Sequence, residues 1–134
     1  MGYTHYWNVK DPAVIVEKFD AFREGANQII GTALDAGIEL ENLVEKDNII
    51  AFDGGVETFF FAKDGTGFNF CKTGQLPYDT VVTGLLILAK KIFGSAISVS
   101  SDGNWAEWSG GRLLYETVYD IEPRESEVFG NVVD

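Results

Sequence analysis

The chain has little that could staple, span or chelate. Its 134 residues hold one cysteine, Cys71, so no internal disulfide can form. They hold one histidine, His5, so no Cys/His set has zinc spacing. The longest apolar run, around Val81 to Ala89, is broken by Thr83 and Gly84 and is too short to span a bilayer. No basic segment followed by an apolar run opens the sequence, so no signal peptide is expected. Basic residues are scarce as well, ten against 21 acidic, for a formal net charge of −11. That excess repels a phosphate backbone, because nucleic-acid affinity comes largely from counterions displaced at Lys and Arg. General nucleic-acid binding and membrane partners are therefore not expected, and a soluble cytoplasmic protein is. Overall acidity still leaves room for a small local basic pocket. Asp53 and Asp64 lie in Gly-rich turns without EF-hand spacing, so no metal and no cofactor is expected.

What the chain does have is core material. Apolar residues make up 46% and aromatic residues 13%, enough for a single globular domain over 1–134. The acidic stretch 123–134 is expected as a loosely held tail. Tyr3 to Val9 reads as a strand with Tyr3, His5 and Trp7 on one face and Thr4, Tyr6 and Asn8 on the other. Asp11-Pro12 gives a helix start, with Asp11 as cap. Ile15, Phe19, Phe22, Ala26, Ile29 and Ala33 then recur at helical spacing as far as Gly37. Asn48–Phe52, Glu57–Ala62 and Gly67–Lys72 read as three strands of a hairpin meander, joined by Gly-rich turns. Tyr78–Phe93 reads as a buried helix and Ala96–Ser100 as a further strand. A C-terminal helix is expected to begin at Asp102-Gly103-Asn104, with a strand over Arg112–Val118 as its competitor. The expected fold is α+β: a mainly antiparallel sheet of about five strands, two long helices and a C-terminal helix, in the order β-α-β-β-β-α-β-α.

The richest stretch is Phe70 to Asp79. An apolar strand ends in Lys72 and Thr73, and a loop then delivers Tyr78 and Asp79 to the start of an apolar helix. A cation, a hydroxyl, an aromatic ring, a carboxylate and the free N–H groups of a helix start suit a small anionic or nucleotide-like ligand. Asp79 also reads as an ordinary helix cap. His5, flanked by Tyr3 and Trp7, reads either as a satisfied structural histidine or as the wall of an aromatic pocket. Tyr6 and Trp7 offer rings for a planar base, or simply core. Cys71 reads as a small buried hydrophobe beside Phe68 and Phe70. Ser101 and Asp102 close the last strand, where they would hold a ribose or phosphate or else form a turn. Arg112 is placed to reach a carboxylate or a ligand phosphate. The spacing of a P-loop is absent. No Ser/His/Asp triad can be assembled, because no partner for the lone histidine is identifiable from the sequence.

Three blocks resemble a family of tailed-phage and prophage proteins: Met1 to Trp7; Phe68 to Thr73 with Pro77-Tyr78-Asp79; and Val99 to Gly103 leading to Trp105 and Trp108. Family members carry basic or polar residues where this chain has Gly74-Gln75-Leu76. The blocks fall at the ends of three expected strands, so His5, Trp7, Lys72, Thr73, Tyr78, Asp79, Ser101 and Asp102, with Arg112, are expected to converge on one ligand site. With the phage setting that the resemblance implies, the expectation is a counter-defence sponge in the infected host's cytoplasm. It would sequester a nucleotide-derived immune signal, such as an ADP-ribose derivative or a cyclic nucleotide, without turnover. The alternatives are an acidic inhibitor that docks on a host defence protein and a nucleotide-processing enzyme. The aromatic content also permits a homo-oligomer.

Overall fold

Alternation and helical spacing become structure along most of the chain. The computed structural model describes residues 2–130. Its elements are β1 (Thr4–Val9), α1 (Pro12–Asp35), β2 (Glu41–Lys46), β3 (Ile49–Asp53), β4 (Phe59–Ala62), β5 (Gly67–Lys72), α2 (Asp79–Phe93), β6 (Ile97–Ser101), α3 (Ser109–Tyr119) and α4 (Glu125–Val128). The α+β class with antiparallel strands holds. The single five-stranded sheet and the expected element order do not. Six strands form two three-stranded antiparallel sheets, β5-β1-β6 and β2-β3-β4.

Two local features explain the difference. β2 has the sequence ENLVEK, with charged or amide side chains at four of six positions and its apolar pair, Leu43-Val44, adjacent rather than alternating. A register irregularity between Glu41 and Val44, with Asn42 at φ 53°, further masks the period of two. β5 leaves the expected meander at Gly67, whose φ of 64° only glycine adopts freely. The chain then runs back along β1, pairing Val9 with Gly67 through to Thr4 with Lys72.

The core gathers around α2. Every residue from Val81 to Ala89 is buried, as the all-round apolar sequence requires. α1 presents the expected stripe: Ile15, Phe19, Phe22, Ala26, Ile29 and Ala33 are all fully buried. Asp11 occupies its cap position but makes no side-chain cap bond. Trp7 stacks against Phe61 and tilts onto Phe59, which joins the inner faces of the two sheets. Each such buried side chain contributes about 1.5–3 kcal/mol.

The C-terminal part is more ordered than expected. Asp102 to Asn104 form a turn, and a short 3-10 turn at Ala106–Trp108 precedes α3. Asn104 and Glu107 cap that turn reciprocally, each side chain accepting the other's backbone N–H at 2.9 Å. The strand alternative over Arg112–Val118 is overturned, since α3 covers it. Within the stretch expected as a tail, Val128 is buried and Phe129 packs edge-on to Trp108 at 4.9 Å. Residues 131–134 of that expected tail lie outside the described residues. Among the described residues no helix is long and apolar enough to cross a membrane.

α2 and α3 approach each other through glycine. A Cβ on Gly111 would fall 2.7 Å from the backbone nitrogen of Gly84. A Cβ on Gly84 would find only ordinary contacts at 3.5–3.6 Å. Gly111→Ala is therefore expected to destabilise the fold by about 1–3 kcal/mol. Gly84→Ala is expected to change stability by less than about 1 kcal/mol, because it gains helix propensity. Urea unfolding midpoints of the two variants check the contrast.

Candidate functional site

The three sequence blocks do meet in space, and hydrogen bonds join them. β1 carries His5 inward, where it is fully buried. Cys71 of β5 and Ser101 of β6 stand opposite it in the register. Ser101 Oγ accepts the Trp108 Nε1–H at 3.1 Å and the Gly103 N–H at 2.9 Å. Both of its lone pairs are thereby filled, so its own proton goes to His5 Nδ1, 2.7 Å away. The imidazole proton then sits on Nε2 and is donated to Asp79 Oδ1 at 2.6 Å. Thr73 Oγ1 donates to the same carboxylate oxygen at 2.5 Å and accepts the Gln75 N–H at 3.3 Å. Tyr3 and Trp108 pack edge-on against the imidazole, with ring centres 5.2 and 5.1 Å away.

This is the partner set that the sequence could not supply for His5. It is a Ser–His–Asp chain, but not a poised nucleophile. Attack needs a free lone pair on Ser101 Oγ, and both are committed to N–H donors. The arrangement is a buried, satisfied polar network.

Asp79 lies in the first turn of α2 and is not its cap; its carboxylate serves His5 and Thr73 instead. The α2 start does not offer its amides to a ligand either. Asp79, Thr80 and Val81 donate to the carbonyls of Leu76, Pro77 and Tyr78. Trp7 is a core residue. Tyr78 is a buried strut: its one hydroxyl proton lies between the carbonyls of Glu57 at 2.8 Å and Lys72 at 3.1 Å, and its oxygen accepts the Glu57 N–H. Arg112 stands one aromatic layer away, 4.8 Å over the Trp105 ring, with an ion-pair contact to Glu122 at 3.9 Å. Beside Ser101 a cleft of about 260 Å³ opens between β6 and α4, but Glu125 is its one charged border. A partly cationic pocket around the histidine is therefore not what the fold builds.

Lys72 and Asp102 lie on the opposite, outer face of the β5-β1-β6 sheet. There Thr4, Tyr6 and Asn8 of β1 face Lys72, Phe70 and Phe68 of β5 on one side. Ser100 and Ser98 of β6 face Tyr6 and Asn8 on the other. Asp102 extends the row, accepting the Thr4 N–H at 3.0 Å and the Tyr6 hydroxyl at 3.1 Å. Phe68 and Phe70 are 65% and 54% exposed. Phe68 stacks on Tyr6 at 5.8 Å and lies 6.0 Å from Phe70. The sequence reading missed this face. Its signal was the alternation in Phe68-Asn69-Phe70-Cys71: once Cys71 points inward, both phenylalanines must point out.

Burial also tunes two acids near the network. It pushes the Cys71 thiol from its ordinary 9.0 to about 12, with the Glu57 charge adding to the effect. It pushes the Tyr3 phenol from 10.0 to about 12, helped by the Asp79 carboxylate. Among the described residues no group of His, Cys, Asp and Glu is placed to hold a metal ion. Comparison with protein families, with characterised proteins and with solved structures returns no match for this chain.

Two outcomes follow. His5→Ala leaves Asp79 and Ser101 short of a partner and is expected to cost about 3 kcal/mol by urea unfolding. An alkaline limit is also expected. The unfolded chain releases protons from Cys71 near pH 9 and from Tyr3 near pH 10, whereas the native state holds both to about 12. The unfolded state binds fewer protons across that window, so the contribution of these two groups is level below pH 9 and falls as pH rises towards 12. The urea midpoint measured against pH checks the sign.

Proposed function

We propose that this protein is a non-catalytic binding protein that captures a nucleotide-type small molecule on the outer face of the β5-β1-β6 sheet. One observation carries the reading. Phe68 and Phe70 stay exposed on a sheet whose other face is core; Phe68 stacks on Tyr6 and Phe70 tilts against Phe68, a row of three rings. Neighbouring exposed rings of this kind are seldom left uncovered without a use. A base stacks on such a platform whatever its hydrogen-bonding edge. Lys72 follows Phe70 on the same face, one ammonium for a phosphate. Thr4, Asn8, Ser98 and Ser100 add hydroxyl and amide groups for a sugar.

The resemblance to phage proteins gives this capture its setting. A small acidic protein made during infection, binding a nucleotide-derived signal without converting it, acts as a sponge in the host cytoplasm. The ADP-ribose derivatives and cyclic nucleotides that defence systems produce are the candidate signals. The inhibitor alternative asks for acids arrayed on one docking face, and the paired strand residues of this face carry none, with Asp102 following β6 and Glu57 at the β5 edge.

The test is thermal shift against a panel of ADP-ribose, cyclic ADP-ribose and cyclic dinucleotides, followed by heat release of the ligand. A shift with intact ligand recovered is expected. Phe70→Ala is expected to weaken binding about tenfold. Lys72→Ala is expected to weaken the phosphorylated ligand but not the matching nucleoside. Both side chains are exposed, so neither variant should lower the melting temperature of the free protein. No shift across the panel, or recovery of a converted ligand, overturns the reading.

A further inference from the structure

The basic residues of this chain are few, and they are not evenly spread. Between the start of α1 and the end of α2 lies an open cleft of about 460 Å³, bordered by Asp11, Lys18, Lys91 and Ser95 among others. Lys10 stands at its margin: the Lys10 and Asp11 N–H groups both donate to the carbonyl of Ala96, which forms part of the cleft wall. Lys90 lies alongside but is occupied. Its ammonium donates to the carbonyls of Gly94 and Ile97 at 3.1 and 2.7 Å, and burial together with the Lys10 charge holds its pKa below the ordinary lysine range. Four of the ten basic residues therefore gather at one corner of a molecule of net charge −11.

Lys18 and Lys91 form no ion pair among the described residues. They bring two lysines from different helices to a concavity where Asp11 is the one bordering carboxylate, with the Lys10 backbone at its margin. α1 begins here with Asp11 at its cap position, where the carboxylate makes no side-chain cap bond. The negative end of α2 is met by Lys90 through the Gly94 carbonyl. Like charges held together in this way repel until an anion enters between them.

The geometry points to a diphosphate-binding site in this cleft, separate from the aromatic face. Lys18 and Lys91 stand on different helices, so two linked phosphates can each meet an ammonium, and Ser95 offers a hydroxyl to either. Lys10 lies just past the end of β1, at the end of the sheet opposite Lys72. The diphosphate can therefore be a free anion or the middle of a nucleotide lying along that face.

The probe is inorganic pyrophosphate, titrated at constant ionic strength and followed by backbone amide shifts of the whole chain. Expected are saturable shifts confined to residues 10–18 and 91–96, and binding about tenfold weaker in Lys18→Gln/Lys91→Gln. ADP then separates the two sources. Shifts at the cleft and at residues 68–70 together assign the diphosphate to a nucleotide; shifts at the cleft alone assign it to a free anion. Phe68→Ala/Phe70→Ala should leave pyrophosphate binding unchanged, so this site and the aromatic platform stand or fall separately. Shifts scattered over the surface, or equal affinity in the double lysine variant, overturn the proposal.

Discussion

The Asp79–His5–Ser101 bridge is the constraint on which the rest of this structure depends. It ties the first strand to the start of the central helix and to the end of the last strand, three segments far apart in sequence. Trp108 adds the C-terminal region by donating its indole N–H to Ser101. Hydrogen bonds in a dry interior are stronger than in water, and an unmet partner there is costly. Ser101 Oγ, both imidazole nitrogens, Asp79 Oδ1 and Thr73 Oγ1 each have their partners. Residues that resemble a catalytic set therefore work as a clasp.

That clasp fixes the orientation of β1. A strand alternates its side chains, so a strand held by His5 must send His5, Trp7 and Val9 inward and Thr4, Tyr6 and Asn8 outward. A slip of one residue would expose the histidine and bury Tyr6. The two neighbouring strands inherit the same division through their register. The inner face is held by packing and the polar bridge, while on the outer face Tyr6 bonds to Asp102 and the Phe68 and Phe70 rings stay exposed.

Much of this was legible in the sequence because it rests on periodicity. The faces of β1, the stripe of α1 and the buried character of α2 follow from spacing alone. The convergence of the three blocks followed from their positions at strand ends. What could not be read was pairing. Proximity in sequence favours β5 beside β4, yet β5 pairs with β1, a choice made by long-range contacts. β2 was invisible because an edge strand with Glu, Asn, Glu and Lys has no buried face to announce it. Lys72 and Thr73 are adjacent, so period two had to place them on opposite faces; grouping both in one pocket overlooked that. Arg112 stacks on Trp105 across the 3-10 turn that precedes α3, a contact that helical spacing alone does not announce.

Electrostatics decides what kind of anion such a protein can hold. A net charge of −11 gives a repulsive far field, but salt limits its reach to about 8 Å at physiological ionic strength. A long polyanion must lie across many acidic patches at once and meets that repulsion along its whole length. A small one meets only the charges within a screening length of its seat. Lys72 at one end of the outer face and Lys10, with Lys18 and Lys91, near the other are local reversals of sign on that scale. They lie about 20 Å apart along β1 at roughly 3.3 Å per residue. A surface acidic in bulk and basic at two spots disfavours a long polyanion more than a ligand with one or two phosphates, which is the class of ligand proposed for both sites.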